Sequence, residues 1–180
     1  MTDEGPLLDR AKAYDPEALA ELYDRYAPKM YAYIYRRVGE ATLAEDLTGE
    51  LFVRVLRSIR NEQAWRESFS AWLYRIAHNL VVDHFRRERG TSQQPADELL
   101  VTLEGDPMRD TESVLAVAQL RAAVARLTPD QQEVIALRFG EGMTAANVAQ
   151  VMNKTTGAVE ALQHRALASL RRILGEENHE

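Results

Sequence analysis

MTAANVAQVMNKTTGAVEAL, residues 143–162, spells two short helices with a tight turn between them. Thr144 is placed to cap a first helix whose inward positions, Val148, Ala149 and Met152, recur at helical spacing. Asn153 follows the last apolar residue, and asparagine tolerates the left-handed backbone that ends a helix and redirects the chain. Thr155 can cap the second helix, on which Val159, Leu162, Ala166, Leu170 and Ile173 recur at steps of three and four and form an inward stripe. Around its other side run Lys154, Thr156, Ala158, Ala161, His164 and Arg165. These are small or hydrogen-bonding residues near a helix start, which is where a recognition helix meets base edges in the major groove of duplex DNA. The plainer alternative is a helical hairpin with a solvated outer face.

Upstream of this motif, Thr128-Pro129-Asp130-Gln131 reads as a capping box with proline at the first helical position. It separates a helix carrying Leu120, Val124 and Leu127 from one carrying Val134, Ile135, Leu137 and Phe139, which ends at Gly140-Glu141-Gly142. In the first half, a helix from about Pro16 to Arg37 buries Leu19, Leu22, Tyr23, Tyr26, Met30, Tyr33 and Ile34. A second, from about Thr42 to Ile59, presents Leu43, Leu47, Leu51, Val55 and Ile59. A third begins near Ser68 and continues to about Arg89. No segment alternates with period two over a strand's length, so the expectation is an all-α protein. Its two small helical domains, 10–90 and 113–175, flank a flexible acidic linker over 91–112. Most of that linker, TSQQPADELLVTLEGDPMRD (91–110), carries two prolines, a glycine and scattered acid without a helical period.

Composition narrows the functional classes. At 180 residues and 46% hydrophobic content the chain can bury a sizeable core. It has no cysteine, which excludes disulfides, thiolate metal sites and cysteine nucleophiles. The acidic start lacks an apolar signal core and no apolar run approaches a membrane span, so a cytoplasmic protein without membrane insertion is expected. The net charge of −6 is unevenly spread: −3 over residues 1–9, +2 over 10–90, −5 over 91–112 and zero over 113–180. The acid sits in the tail and the linker, so basic patches on the two domains are not swamped. A strong phosphate-binding excess is nevertheless missing, so the chain is expected to need help to hold DNA.

The third helix is the other chemically informative stretch. Leu73, Ile76, Ala77, Leu80 and Val81 form its apolar side, while Trp72, Arg75, Asn79, Arg86, Arg87 and Arg89 mix aromatic, amide and guanidinium groups. Rings beside cations suit unpaired bases, which stack on the ring while arginine holds phosphate. Against this, Trp72 and Phe69 suit core packing, and the arginines suit a solvated helix end that complements its dipole.

Taken together and in this order, these stretches resemble bacterial RNA polymerase sigma factors of the extracytoplasmic-function (ECF) subgroup. The resemblance covers nearly the whole chain. AEDLTGELFVRV (44–55) and FSAWLYRIAHNLVVDHFRR (69–87) are similar to region two, and LTPDQQEVIALRF (127–139) with the helix-turn-helix is similar to region four. The resemblance implies a transcription initiation factor that needs no cofactor. It places core polymerase on Asp46, Glu50 and Arg54. It places the melted minus-10 promoter element on Asn61 and Trp65, in the loop from Ser58 to Glu67, and on Trp72, Arg75, Asn79, Arg86 and Arg87. The minus-35 element, still duplex, falls to Lys154, Thr155, Thr156, Ala158, Ala161, His164 and Arg165. The implied partners are core RNA polymerase, promoter DNA and an anti-sigma factor, and the free protein is implied to be monomeric.

Several positions depart from the family pattern. Gly49 stands where glutamine is common in the docking motif. In the recognition helix Glu160, Ala161 and Leu162 stand where lysine, serine and arginine are often seen, and Gln163 replaces a usual leucine. An enzyme is disfavoured: His78, Asp83 and His84 are the only tempting cluster, and their offsets put His78 off the face of the other two, so no metal site is expected. A stand-alone helix-turn-helix regulator or a protein-interaction adaptor remains the alternative. Such a regulator should bind duplex DNA alone, usually as a dimer.

Overall fold

The computed structural model describes residues 4–61, 68–89 and 111–177. Among the described residues every regular element is helical, and the chain divides into two compact units, Met1–Gln94 and Pro95–Glu180.

The first unit holds α1 (Glu4–Lys12), α2 (Pro16–Val38), α3 (Ala41–Ser58) and α4 (Phe69–Arg89). Asp15 caps α2 by accepting from the Glu17 amide at 3.1 Å, Pro16 takes the first helical position, and Gly39 ends the helix at φ 72°, a left-handed value that glycine adopts without strain. Glu40 caps α3, its carboxylate accepting from the Thr42 and Leu43 amides at 2.9 and 2.7 Å. These two bonds hold the Glu40 carboxyl below its usual range, the Leu43 amide contributing most. The core joins Leu22, Met30 and Ile34 of α2 to Leu51 and Val55 of α3 and to Leu73, Tyr74, Ala77 and Val81 of α4. Fully burying each of the larger side chains is worth about 1.5–3 kcal/mol. Thr48 is also buried, with its hydroxyl satisfied by the Ala44 carbonyl at 2.6 Å.

Two features differ from the sequence expectation. The acidic start is not merely a tail, because α1 buries Leu7, Leu8 and Ala11 and its Glu4 carboxylate accepts from the Tyr26 hydroxyl. Burial first, and then Glu4, pushes that hydroxyl above its usual range. A nine-residue helix is too short to display a period, so its apolar residues read as scattered. Tyr23, expected inside, is 51% exposed and leans on Phe52 of α3, with ring centroids 4.8 Å apart.

The second unit holds α5 (Thr111–Ala125), α6 (Pro129–Ile135), a π-helical turn (Ala136–Gly140), α7 (Ala145–Met152) and α8 (Thr156–Glu177). Its core gathers Ala123, Val124 and Leu127 at the end of α5 with Ala166, Leu170 and Ile173 of α8. The capping box at Thr128 and Gln131 is formed in both directions. The buried Gln132 amide donates to the Leu127 carbonyl at 2.9 Å, which fixes the corner between α5 and α6. Leu120, expected in this core, is 38% exposed, because only the last turns of α5 bury apolar residues. Phe139, also expected inside, is 59% exposed: it stands on the π-helical turn, whose extra residue per turn shifts it away from the direction that a continuous α-helix would give it. The acidic linker expected at 91–112 lies outside the described residues apart from Thr111 and Glu112, which already belong to α5.

Candidate nucleic-acid interface

In the second unit the helix-turn-helix is built as its residues dictate. The Thr144 hydroxyl accepts from the Asn147 amide at 3.1 Å and starts α7. Asn153 ends α7 at φ 54° and ψ 46°, and the Thr155 hydroxyl accepts from the Ala158 amide at 3.1 Å to start α8. Val148, Ala149, Val151 and Met152 of α7 are buried, as are Val159, Ala166, Leu170 and Ile173 of α8. Leu162 of the expected stripe is half-buried. Of the candidate duplex-reading residues, Lys154, Thr155, Thr156, His164 and Arg165 are exposed, and Ala158 and Ala161 are half-buried. Lys154 is not a bare cation: its ammonium lies 3.3 Å from Asp130 at the start of α6. A phosphate at that position would have to compete with this exposed pair, a small cost since such pairs contribute at most about 1 kcal/mol.

In the first unit Arg75, Asn79 and Arg86 are exposed and share one face of α4, being separated by near-whole numbers of helical turns. Arg75 has no ion-pair partner among the described residues, and Arg86 lies 3.8 Å from Asp83. Arg87 is exposed on a neighbouring face, and Asn61 is exposed just beyond α3. Trp72 corrects the sequence expectation. It is only 8% exposed and packs against Phe69 with ring centroids 5.6 Å apart, so its ring lies in the core. The spacing put Trp72 near Arg75, but it leans toward the buried side of the same helix. Trp65 lies outside the described residues.

The third surface is the outer face of α3. Asp46 and Glu50 are exposed and Arg54 is half-buried, at steps of four over the buried Leu47, Leu51 and Val55. Glu50 and Arg54 pair at 2.9 Å, and Asp46 has no ion-pair partner among the described residues. A Cβ added at the exposed Gly49 would meet nothing within 4 Å. Beside this face, Leu19, Tyr23, Phe52, Val55, Leu56 and Ile59 line an apolar cleft of about 330 Å³ between α2 and α3. Of the residues weighed as metal ligands, His78 faces Arg37 at 3.3 Å and His84 faces Glu88 at 3.4 Å. Among the described residues no helix is long and apolar enough to cross a membrane.

One arrangement escaped the reading of the sequence. The Arg138 guanidinium reaches from the π-helical turn to Gln163 of α8 at 2.8 Å and to the Met143 carbonyl at 2.5 Å. The glutamine standing in place of a usual leucine was its only outward sign.

Two family models match the chain: Sigma-70 region 2 over residues 22–91 and Sigma-70 region 4 over residues 123–172. The chain is 42% identical over 173 residues to the ECF RNA polymerase sigma factor BldN of Streptomyces coelicolor, a match that covers 95% of this chain and 66% of that relative. It is 32% identical over 174 residues to the ECF RNA polymerase sigma factor SigX of Bacillus subtilis, covering 89% of this chain and 87% of that one. Among solved structures, CnrH in complex with the cytosolic domain of CnrY superposes with a TM-score of 0.64 at 24% identity, covering 94% of this chain and 96% of that one, which shows a shared fold. The outer face of α3 and the exposed α4 residues lie within the region 2 match, the helix-turn-helix lies within the region 4 match, and the chain therefore belongs to the ECF sigma factors, initiation factors that direct RNA polymerase to promoters.

Proposed function

We propose that this chain docks on core RNA polymerase through Asp46, Glu50 and Arg54, reads the minus-35 element through α8, and holds the melted minus-10 element on Arg75, Asn79, Arg86 and Arg87. Asn61 belongs to the same minus-10 surface. Extracting a base from duplex costs a few kcal/mol of stacking and pairing, which contacts to the freed strand must offset. The observation that carries this reading is the helix-turn-helix, with its two caps and left-handed Asn153 in place and with His164, Arg165 and Thr156 left outward once the apolar stripe is buried. Residues 10–90, extended by α1, form the docking and melting domain, residues 113–175 the duplex-reading domain, and the acidic residues 91–112 join them. The protein works in the cytoplasm and is monomeric when free.

We assign an anti-sigma factor to the apolar cleft between α2 and α3. Tyr23 and Leu56 line it and stand exposed, and apolar surface of that kind favours a partner that covers it.

Run-off transcription with purified chain, core polymerase and a promoter library tests the central role. The expected result is a set of start sites that share spaced minus-35 and minus-10 elements and that vanish when the chain is omitted. Start sites unchanged by the chain would contradict it.

A further inference from the structure

We propose that Arg138 is a positioning residue that sets the angle between the two helices of the helix-turn-helix, and thereby selects which side chains of α8 meet bases. This role rests on the promoter-reading function given above and names a specificity determinant within it. The turn Ala136–Gly140 is π-helical, with the Glu141 amide donating to the Ala136 carbonyl five residues back at 3.0 Å. One such turn inserts a residue into the helical repeat and changes the direction of every side chain on it. Phe139 is exposed in consequence, while Arg138 is half-buried beside α8.

The guanidinium then bridges two elements. Its Nε donates to Gln163 Oε1 at 2.8 Å, and its Nη1 donates to the Met143 carbonyl at 2.5 Å. Met143 immediately precedes Thr144, the cap of α7, whereas Gln163 lies in the first half of α8. One planar group thus ties the entry of the support helix to the body of the recognition helix. A guanidinium carries its donors in a fixed fork, so the two bonds hold together only over a narrow range of helix angles. Both are charge-assisted and partly shielded from water, which shortens and strengthens them. A leucine at 163 would fill volume but tolerate sliding. His164 and Arg165 directly follow Gln163 and face outward, so a rotation of α8 released at 163 moves them across the groove floor. The Lys154–Asp130 pair ties the turn before α8 to the start of α6, but it is too exposed to set the angle by itself.

The test uses the full chain with core polymerase and measures initiation on the preferred promoter and on promoters with single substitutions in the minus-35 element. Three variants are compared: Arg138→Lys, which keeps the charge and loses the fork; Gln163→Glu, which keeps the acceptor; and the double variant Arg138→Leu with Gln163→Leu, which replaces the pair by apolar packing. Gln163→Glu is expected to keep the wild-type ranking of promoters. Arg138→Lys and the double variant are expected to lose about fivefold or more in discrimination between preferred and substituted elements. Core binding should be unchanged in all three. A double variant that retains the wild-type Tm and still loses discrimination would support the positioning role. If either Arg138→Lys or the double variant folds and discriminates like wild type, Arg138 is a packing residue and the proposal is overturned. A wild-type chain that shows no minus-35 discrimination would instead overturn the promoter-reading function on which the proposal rests.

Discussion

Gly49 sits inside α3, exposed, at a place where an added Cβ meets nothing. A helix-interior glycine is disfavoured by up to about 1 kcal/mol relative to alanine, because its backbone has more freedom to lose. Gly49→Ala should therefore raise stability in urea unfolding by roughly 0.5–1 kcal/mol, and a loss of stability would mean that the glycine is needed in the folded state. Glu40 provides a pH-dependent counterpart. Its carboxyl is held below the usual range by the Leu43 and Thr42 amides, so its capping contribution is complete above the unfolded-state value. That contribution is lost as pH falls through the lower folded-state value. Glu40→Gln should accordingly lower Tm at neutral pH and make little difference in acid. A gap between variant and wild type that is constant across pH would contradict this account of the cap.

Among the elements, α4 carries buried packing residues on one side and the proposed minus-10 residues on another. Trp72→Ala empties a buried position beside Phe69 and should cost about 3–5 kcal/mol of stability. Arg75→Ala and Asn79→Ala touch exposed residues and should change stability by no more than about 0.5 kcal/mol. These two should instead weaken promoter opening, read as permanganate reactivity of unpaired thymines, with core binding intact. Unaltered reactivity in both would remove α4 from the melting surface. The same helix shows what the sequence could and could not carry. Its Leu73, Ala77, Leu80 and Val81 face followed from periodicity, and the caps at Thr128, Thr144 and Thr155 followed from the capping preference of threonine at those places. Trp72 did not, since a large ring at the margin of an apolar stripe can turn either way and its packing neighbour decides. Phe139 was misread for a different reason. Periodicity assumes an unbroken α-helix, and nothing local in Ala136–Gly140 announces the π-helical turn that reorients it. The α1 helix was missed because two turns are too few to establish a period, and its three buried residues gain their meaning only by packing against α2.

At the scale of the whole molecule, charge explains why two DNA-reading surfaces can coexist with a net charge of −6. Neither unit has a strong cationic excess, so the phosphate term that gives tight autonomous binding is weak. In the proposed reading core polymerase supplies both affinity and register, and two individually weak surfaces act together because they are tethered to one body. The direct measurement is footprinting of an asymmetric promoter by the purified full chain with and without core polymerase, at a stated salt concentration. Protection of both elements that requires core, with a single copy of the chain per promoter, is the predicted result. Full protection by the chain alone, or a chain that does not associate with core at all, would contradict it.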